Sequence, residues 1–205
     1  MTKPKYWDQG KKYLSKKDKI LGKLIKKYKG NLKTRRDPFF SLCKSIVGQQ
    51  ISVQAASSVW EKLETKAKKI HPKNIYKLTP KQLASCGLSR QKITYLKILA
   101  KKFLNKELDV KKLKKMNDQE AIKYLVQIKG IGVWTAEMFL FFNQMRPDIF
   151  PVQDIGLLRG ISNNYKTKYP PSSSQLKKFK ERWSPYCTVA TWYLWRSIDP
   201  EPVSY

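Results

Sequence analysis

Histidine is nearly missing from this sequence: His71 is the single imidazole in 205 residues. That excludes a histidine-based catalytic triad and any multi-histidine metal site. Cysteine is scarce as well. Cys43, Cys86 and Cys187 lie far apart and form no CxxC pair. A zinc knuckle is therefore not expected, and three thiols cannot build a four-cysteine iron–sulfur loop. An odd, dispersed set predicts small buried core thiols in a reducing compartment. Long apolar runs are absent too. The longest aromatic-apolar stretch, Met138 to Phe142, is far too short to span a bilayer. The basic N-terminal region lacks an apolar signal segment. These absences predict a soluble, intracellular protein with no membrane partner, in the cytoplasm or nucleoid if the source is prokaryotic.

Acidic residues are few, 15 Asp+Glu against 43 Lys+Arg, leaving a formal net charge of +28. A field of that sign and size points to a polyanion such as nucleic acid. A proteome rich in lysine would give part of the same excess. Hydrophobic residues still make up 41% of the chain, enough for a globular core. No segment alternates in the manner of a strand, so the expected class is all-α.

Helix signals recur along the chain. Met1 to Gly30 interleaves lysines with Leu14, Ile20, Leu21, Leu24 and Ile25, which predicts one helix with a packed face and a basic face. Asp37-Pro38 starts the next. Val53 to Leu63 follows, with Ala55, Ala56 and Val59 expected to pack closely. Thr79-Pro80 and Gly87-Leu88-Ser89 each open a further helix, the second lined by Ile93, Leu96, Leu99 and Ala100. Lys92 is a surface lysine in this reading, with phosphate contact as the alternative. Toward the end, helices are expected at Ile155 to Ile161, Gln175 to Trp183 and Thr188 to Ser197, with a polar loop from Asn163 to Ser174.

The chain is organised around Ile128-Lys129-Gly130-Ile131-Gly132-Val133-Trp134-Thr135-Ala136. Asn117 and Glu120 form a capping-box pattern ahead of it. Ile122, Leu125, Val126 and Ile128 then give an amphipathic helix, and Val133 to Phe142 a second, apolar one. Gly130 and Gly132 allow a sharp reversal between them. Such a turn offers backbone N–H groups at a helix N-terminus, where an anionic phosphate is favoured. On pattern alone, a plain C-cap glycine between packed helices is the stronger reading. Asp154, in Phe150-Pro151-Val152-Gln153-Asp154, likewise reads as an ordinary helix N-cap.

Gly130-Ile131-Gly132 with Thr135-Ala136 and the downstream Pro151 and Asp154 resembles the helix-hairpin-helix and Gly/Pro-Asp loop of the DNA glycosylase superfamily. Gly48-Gln49-Gln50-Ile51-Ser52, Gly87-Leu88-Ser89-Arg90-Gln91-Lys92 and Trp183-Ser184-Pro185-Tyr186 add to the likeness. Together they resemble the DNA-3-methyladenine glycosylase II, or alkylbase, branch, from about Phe39 to Ile198. The resemblance implies a two-lobed helical fold without the additional β-domain of longer relatives. A central lobe would cover about 50–150, with the hairpin at 117–143. A second lobe would be built from 1–49 and 151–205, and the cleft between lobes would hold the active site.

The implied reaction is hydrolysis of the N-glycosidic bond of an alkylated purine in duplex DNA, after the base is flipped out. Asp154 matches the catalytic aspartate. Trp134, Trp195 and Met138 match base-pocket positions, where aromatic rings stack on a cationic base. Gln49 and Gln50 match the segment that fills the gap left by the extruded nucleotide, with Gln50 aligned to the inserted side chain. Backbone at Gly130, Gly132 and Trp134, with Lys129 beside it, would hold a phosphate. Main-chain carbonyls of Val126, Ile128 and Gly130 match those that bind Na+ or K+ in family hairpins; no cofactor is otherwise required and no iron–sulfur cluster is expected. Relatives that also cut the strand carry a lysine where this chain has Trp134, so a monofunctional enzyme is expected, acting as a monomer on damaged double-stranded DNA. Lys129 departs from a usual proline, Met138 from an aromatic and Cys187 from an arginine, which leaves lesion breadth open. Three rivals are a glycosylase for other damaged or mismatched bases, a non-catalytic DNA-binding protein built on the same hairpin, and a basic RNA-associated protein, suggested by charge alone, which would leave the ordered motifs unexplained.

Overall fold

A computed structural model of the chain describes residues 3–33 and 37–199, apart from the side chain of Val53. Residues 1–2, 34–36 and 200–205, which the expected terminal lobe includes, lie outside the described residues. All regular structure among the described residues is helical. In chain order the helices are α1 (Trp7–Lys17), α2 (Lys19–Lys27), α3 (Pro38–Gly48), α4 (Val53–Ala67), α5 (Pro72–Lys77), α6 (Pro80–Ala84) and α7 (Arg90–Leu104). There follow α8 (Val110–Leu113), α9 (Asp118–Val126), α10 (Val133–Phe142), α11 (Ile155–Tyr165), α12 (Ser173–Trp183) and α13 (Cys187–Ile198). None is long and apolar enough to cross a membrane.

The described chain divides into two compact bodies, one of residues 37–139 and one of residues 3–33 and 140–199. The boundary falls earlier than the sequence pattern suggests, at both crossings. Helix α3 belongs to the central body because its apolar face, Phe39, Leu42, Cys43, Ile46 and Val47, is buried there against α7 and α4. Residues 140–150 belong to the terminal body.

Local chemistry explains most starts in the central body. Asp37 accepts the Phe40 N–H at 3.0 Å and Pro38 occupies the first turn of α3. Ser52 caps α4, Ser89 caps α7, and Thr79 with Gln82 makes a full capping box at α6. The core face of α7 is Ile93, Leu96, Leu99 and Ala100, as the helical spacing predicts. On α4 the packed face is offset from expectation. Trp60 and Leu63 are buried, while Ala55 is exposed and Ala56 and Val59 are only half-buried. Larger side chains bury more apolar area, so they take the core and the small residues turn outward.

The terminal body differs from the single basic helix expected at its start. Asp18 breaks that helix into α1 and α2: its backbone is extended and its carboxylate caps α2 through the Ile20 and Leu21 N–H groups, at 3.0 and 3.1 Å. The side chain is buried because Trp183 Nε1 donates to it at 3.0 Å and Arg182 approaches at 3.4 Å. Helix α11 runs on to Tyr165, consuming part of the expected polar loop. It packs closely on α13, with Gly160 against the Leu194 backbone. All three cysteines are free and buried. Burial pushes the Cys43 and Cys187 thiols up, with the Asp37 charge adding at Cys43 and a hydrogen bond to Asp148 adding at Cys187, so they act as packing groups.

Candidate functional site

Two constellations, one in each body, gather the residues singled out by sequence. In the central body the reversal between α9 and α10 is built from both ends. The capping box is complete: Glu120 N–H donates to Asn117 Oδ1 and Asn117 N–H to Glu120 Oε2, each at 2.9 Å. After Val126 the chain tightens, with Ile128 N–H to Leu125 O at 3.1 Å and Ile131 N–H to Ile128 O at 2.9 Å. The two glycines then do different jobs. Gly130 has φ +96°, and a Cβ there would lie 2.2 Å from Tyr95 Cγ. It is glycine because the turn needs positive φ and lies against a ring. Around Gly132 a Cβ would meet nothing within 4 Å, so its backbone stands open to an approaching molecule. Ala136 N–H bonds to Gly132 O at 3.0 Å, which starts α10 there. The first-turn N–H groups of such a helix have no acceptor inside it, and Val133 beside them is 44% exposed.

Gln49 and Gln50 separate sharply. Gln49 Nε2 donates to Gly130 O and to Thr135 Oγ1, both at 2.9 Å. Its amide ties the end of α3 to the hairpin. Gln50 is exposed, with φ +57°, a left-handed conformation that a non-glycine residue adopts at a cost. Ile51 beside it is 40% exposed. A strained tip carrying a polar and an apolar side chain results. Lys92 is not a solvated lysine: its ammonium donates to Val47 O at 2.7 Å, and burial holds its pKa below the ordinary lysine value. Lys129 is exposed on the turn, and Trp134 is half-buried. Met138 is fully enclosed in the core of this body.

The carbonyls of Val126, Ile128 and Gly130 sit within this same turn. Ile128 O already accepts Ile131 N–H, and Gly130 O accepts Gln49. Each keeps a second lone pair. Neutral main-chain oxygens are the type of donor that a hard monovalent cation takes. Among the described residues no group of three or more His, Cys, Asp or Glu is placed to hold a metal ion.

In the terminal body Pro151 is buried and Asp154 N–H closes a turn onto Pro151 O at 2.9 Å. Asp154 then caps α11, accepting the Leu157 N–H at 2.7 Å on Oδ1. The same oxygen accepts Trp195 Nε1–H at 2.7 Å. Asp154 remains half-exposed. The Trp195 ring is buried, parallel to Phe142 at 5.8 Å and tilted against Phe141 at 4.9 Å. The expected pocket tryptophan is therefore also a hydrogen-bond donor to the carboxylate. Nothing in the local sequence signals that bond, which joins residues 41 positions apart. Only the fold brings residues this far apart together.

Residues 43–185 match the HhH-GPD superfamily of base excision DNA repair proteins. The chain is similar to DNA-3-methyladenine glycosylase 1 of Schizosaccharomyces pombe, 29% identical over 184 residues, which are 87% of this chain and 81% of that one. It is 33% identical over 202 residues to the DNA-3-methyladenine glycosylase of Saccharomyces cerevisiae, covering 80% of this chain and 67% of that protein. A solved structure of the Schizosaccharomyces pombe 3-methyladenine DNA glycosylase with abasic DNA superposes with a TM-score of 0.83, at 27% identity, covering 92% of this chain and 96% of that one.

Proposed function

The chain belongs to the HhH-GPD superfamily of base excision DNA repair proteins, and from that premise we propose that it is a monofunctional DNA-3-methyladenine glycosylase acting on alkylated purines in duplex DNA. The observation that carries this reading is Asp154. It follows the Pro151 turn, remains half-exposed, and accepts two donors on one oxygen.

The bond to be broken joins C1′ of a deoxyribose to a purine nitrogen. As it parts, the electron pair leaves with the base and C1′ becomes cationic. A fixed carboxylate beside that carbon offsets the developing charge. Water then adds to C1′ and gives its proton to Asp154 or to solvent. Free base and an abasic site are the products. An alkylated purine is already cationic and departs neutral, so no second carboxylate is needed as an acid. Reaching C1′ in a duplex requires extrusion of the nucleotide. Gln50, exposed and held at positive φ, suits the side chain that fills the vacated space, and Trp134 suits a stacking surface for the base.

The hairpin supplies the anchor. The open backbone at Gly132 and the first turn of α10 suit a phosphate oxygen, without reference to sequence. A monovalent cation on the carbonyls of Val126, Ile128 and Gly130 would add positive charge to the same phosphate. The net charge of +28 favours encounter with DNA and makes binding salt-dependent. By the family resemblance Trp134 takes the position of the imine-forming lysine of strand-cutting enzymes, and an indole cannot form an imine.

Asp154→Asn provides the test. On dimethyl sulfate-treated duplex DNA, base release scored by alkaline cleavage at abasic sites should fall about 100-fold or more, with duplex binding retained. Undiminished release rejects the assignment. Borohydride should trap no protein–DNA adduct, and a trapped adduct rejects the monofunctional reading.

A further inference from the structure

Helix α11 is capped by Asp154 and has a glycine at its second residue, Gly156. Alanine is the better helix former at ordinary helix positions, so a glycine here has another cause. A Cβ at 156 would lie 2.9 Å from Trp195 Cδ1, 3.0 Å from Trp195 Nε1 and 3.0 Å from Asp154 Oδ1. It would enter the hydrogen bond between the two side chains. Its φ is not in the left-handed region, so space, not backbone conformation, is what the glycine provides here.

A capping bond alone constrains one oxygen of an aspartate and leaves the carboxylate plane free to rock. In this site Oδ1 takes two donors, Leu157 N–H from its own helix and Trp195 Nε1–H from α13, both at 2.7 Å. The indole is itself fixed, buried against Phe141 and Phe142. An indole N–H can only donate, so it can hold the carboxylate but cannot exchange a proton with it. Small displacements of a charged group from the reacting carbon are costly to rate.

We infer that Trp195 and Gly156 are a positioning pair for Asp154, the indole N–H fixing the carboxylate and the bare Cα of residue 156 leaving room for it. This rests on the glycosylase reading above and assigns Trp195 a role through Asp154, where family resemblance assigns it a base-stacking one.

Trp195→Phe keeps an aromatic ring against Phe141 and Phe142 but loses the donor. Gly156→Ala keeps donor and acceptor but fills the space between them. On dimethyl sulfate-treated duplex DNA both variants should lower kcat about 10- to 100-fold, with KM and affinity for a tetrahydrofuran abasic-site duplex little changed. A raised KM at unchanged kcat would overturn the inference, because it would mean the ring acts by touching the base. Unchanged kcat in both variants would also overturn it. An indole-15N spectrum reads the bond without catalysis: the resonance missing from Trp195→Phe should move upfield in Gly156→Ala and in Asp154→Ala. No movement in either overturns the inference even where folding or turnover suffers. A wild-type protein that releases no alkylated base overturns the glycosylase reading and this role with it, whereas the indole shift still reports whether the bond exists.

Discussion

The side-chain amide of Gln49 donates to the carbonyl of Gly130, 81 residues away, at 2.9 Å. Its other acceptor is Thr135 Oγ1, also at 2.9 Å. One amide therefore joins the end of α3, the turn glycine and the first turn of α10. Gln50, next in the chain, is exposed at φ +57°. The two glutamines are thus a clamp and a tip. Gln49→Leu should cost about 1–3 kcal/mol of stability, the net worth of two hydrogen bonds, and weaken binding to undamaged duplex. Gln50→Ala should leave Tm unchanged and instead slow base release. Thermal melts and fluorescence anisotropy on the two variants check the division; a stability loss in Gln50→Ala would refute it.

The hairpin glycines should also part company. Gly130→Ala forces a Cβ to within 2.2 Å of the Tyr95 ring at a positive φ. It should destabilise the protein by at least about 2 kcal/mol, seen as a lowered Tm. Gly132→Ala meets nothing within 4 Å and should change stability by less than about 0.5 kcal/mol. Its effect should appear in DNA affinity, because the added methyl stands where phosphate is proposed to approach. Equal Tm losses in the two variants would contradict this division of labour.

What the sequence reveals here is what is settled within a few residues. Asn117 with Glu120, Asp37 with Pro38 and Thr79 with Pro80 announce helix starts that the structure has, because caps are local hydrogen bonds. The core face of α7 follows from spacing alone. Long-range partners are what escape such a reading. Asp18 splits the first helix because Arg182 and Trp183 receive it from 164 and 165 residues away. Lys92 looks like a surface cation until the Val47 carbonyl is beside it. Trp195 can be aligned as an aromatic, but nothing in its neighbours signals that its N–H is spent on Asp154. The membership of α3 is of the same kind: its apolar face packs on α7 and α4, and no turn in the sequence signals that.

The pairing of α11 with α13 is expected to be sensitive at one point. A Cβ on Gly160 would come within 2.9 Å of Leu194 O and 3.0 Å of Leu194 Cβ. Backbone cannot yield as a flexible side chain does. Gly160→Val should therefore push the two helices apart and cost about 1–3 kcal/mol. Asp154 caps one of these helices and Trp195 lies on the other. Base release should consequently fall by more than the lost folded fraction explains, which single-turnover rates at a temperature well below Tm would reveal.

Asp18 gives the fold a dependence on pH. Burial raises its pKa, but hydrogen bonds from Trp183 and from the Leu21 and Ile20 N–H groups favour the charged form and outweigh it, so the net shift is downward. A carboxyl with a folded pKa below its unfolded value, near 4, stabilises the protein above the unfolded value. That contribution is lost as the pH falls through the folded one. Asp18→Ala leaves Arg182 and the indole N–H of Trp183 without their acceptor and removes the cap of α2. At neutral pH it should cost roughly 3 kcal/mol, since the carboxylate is buried and partnered. The gap between the wild-type and variant Tm should narrow as the pH is lowered below about 4, where the wild type loses the same interactions by protonation. Melting curves across that range decide the matter: a gap independent of pH would mean that Asp18 acts through packing and not through its charge.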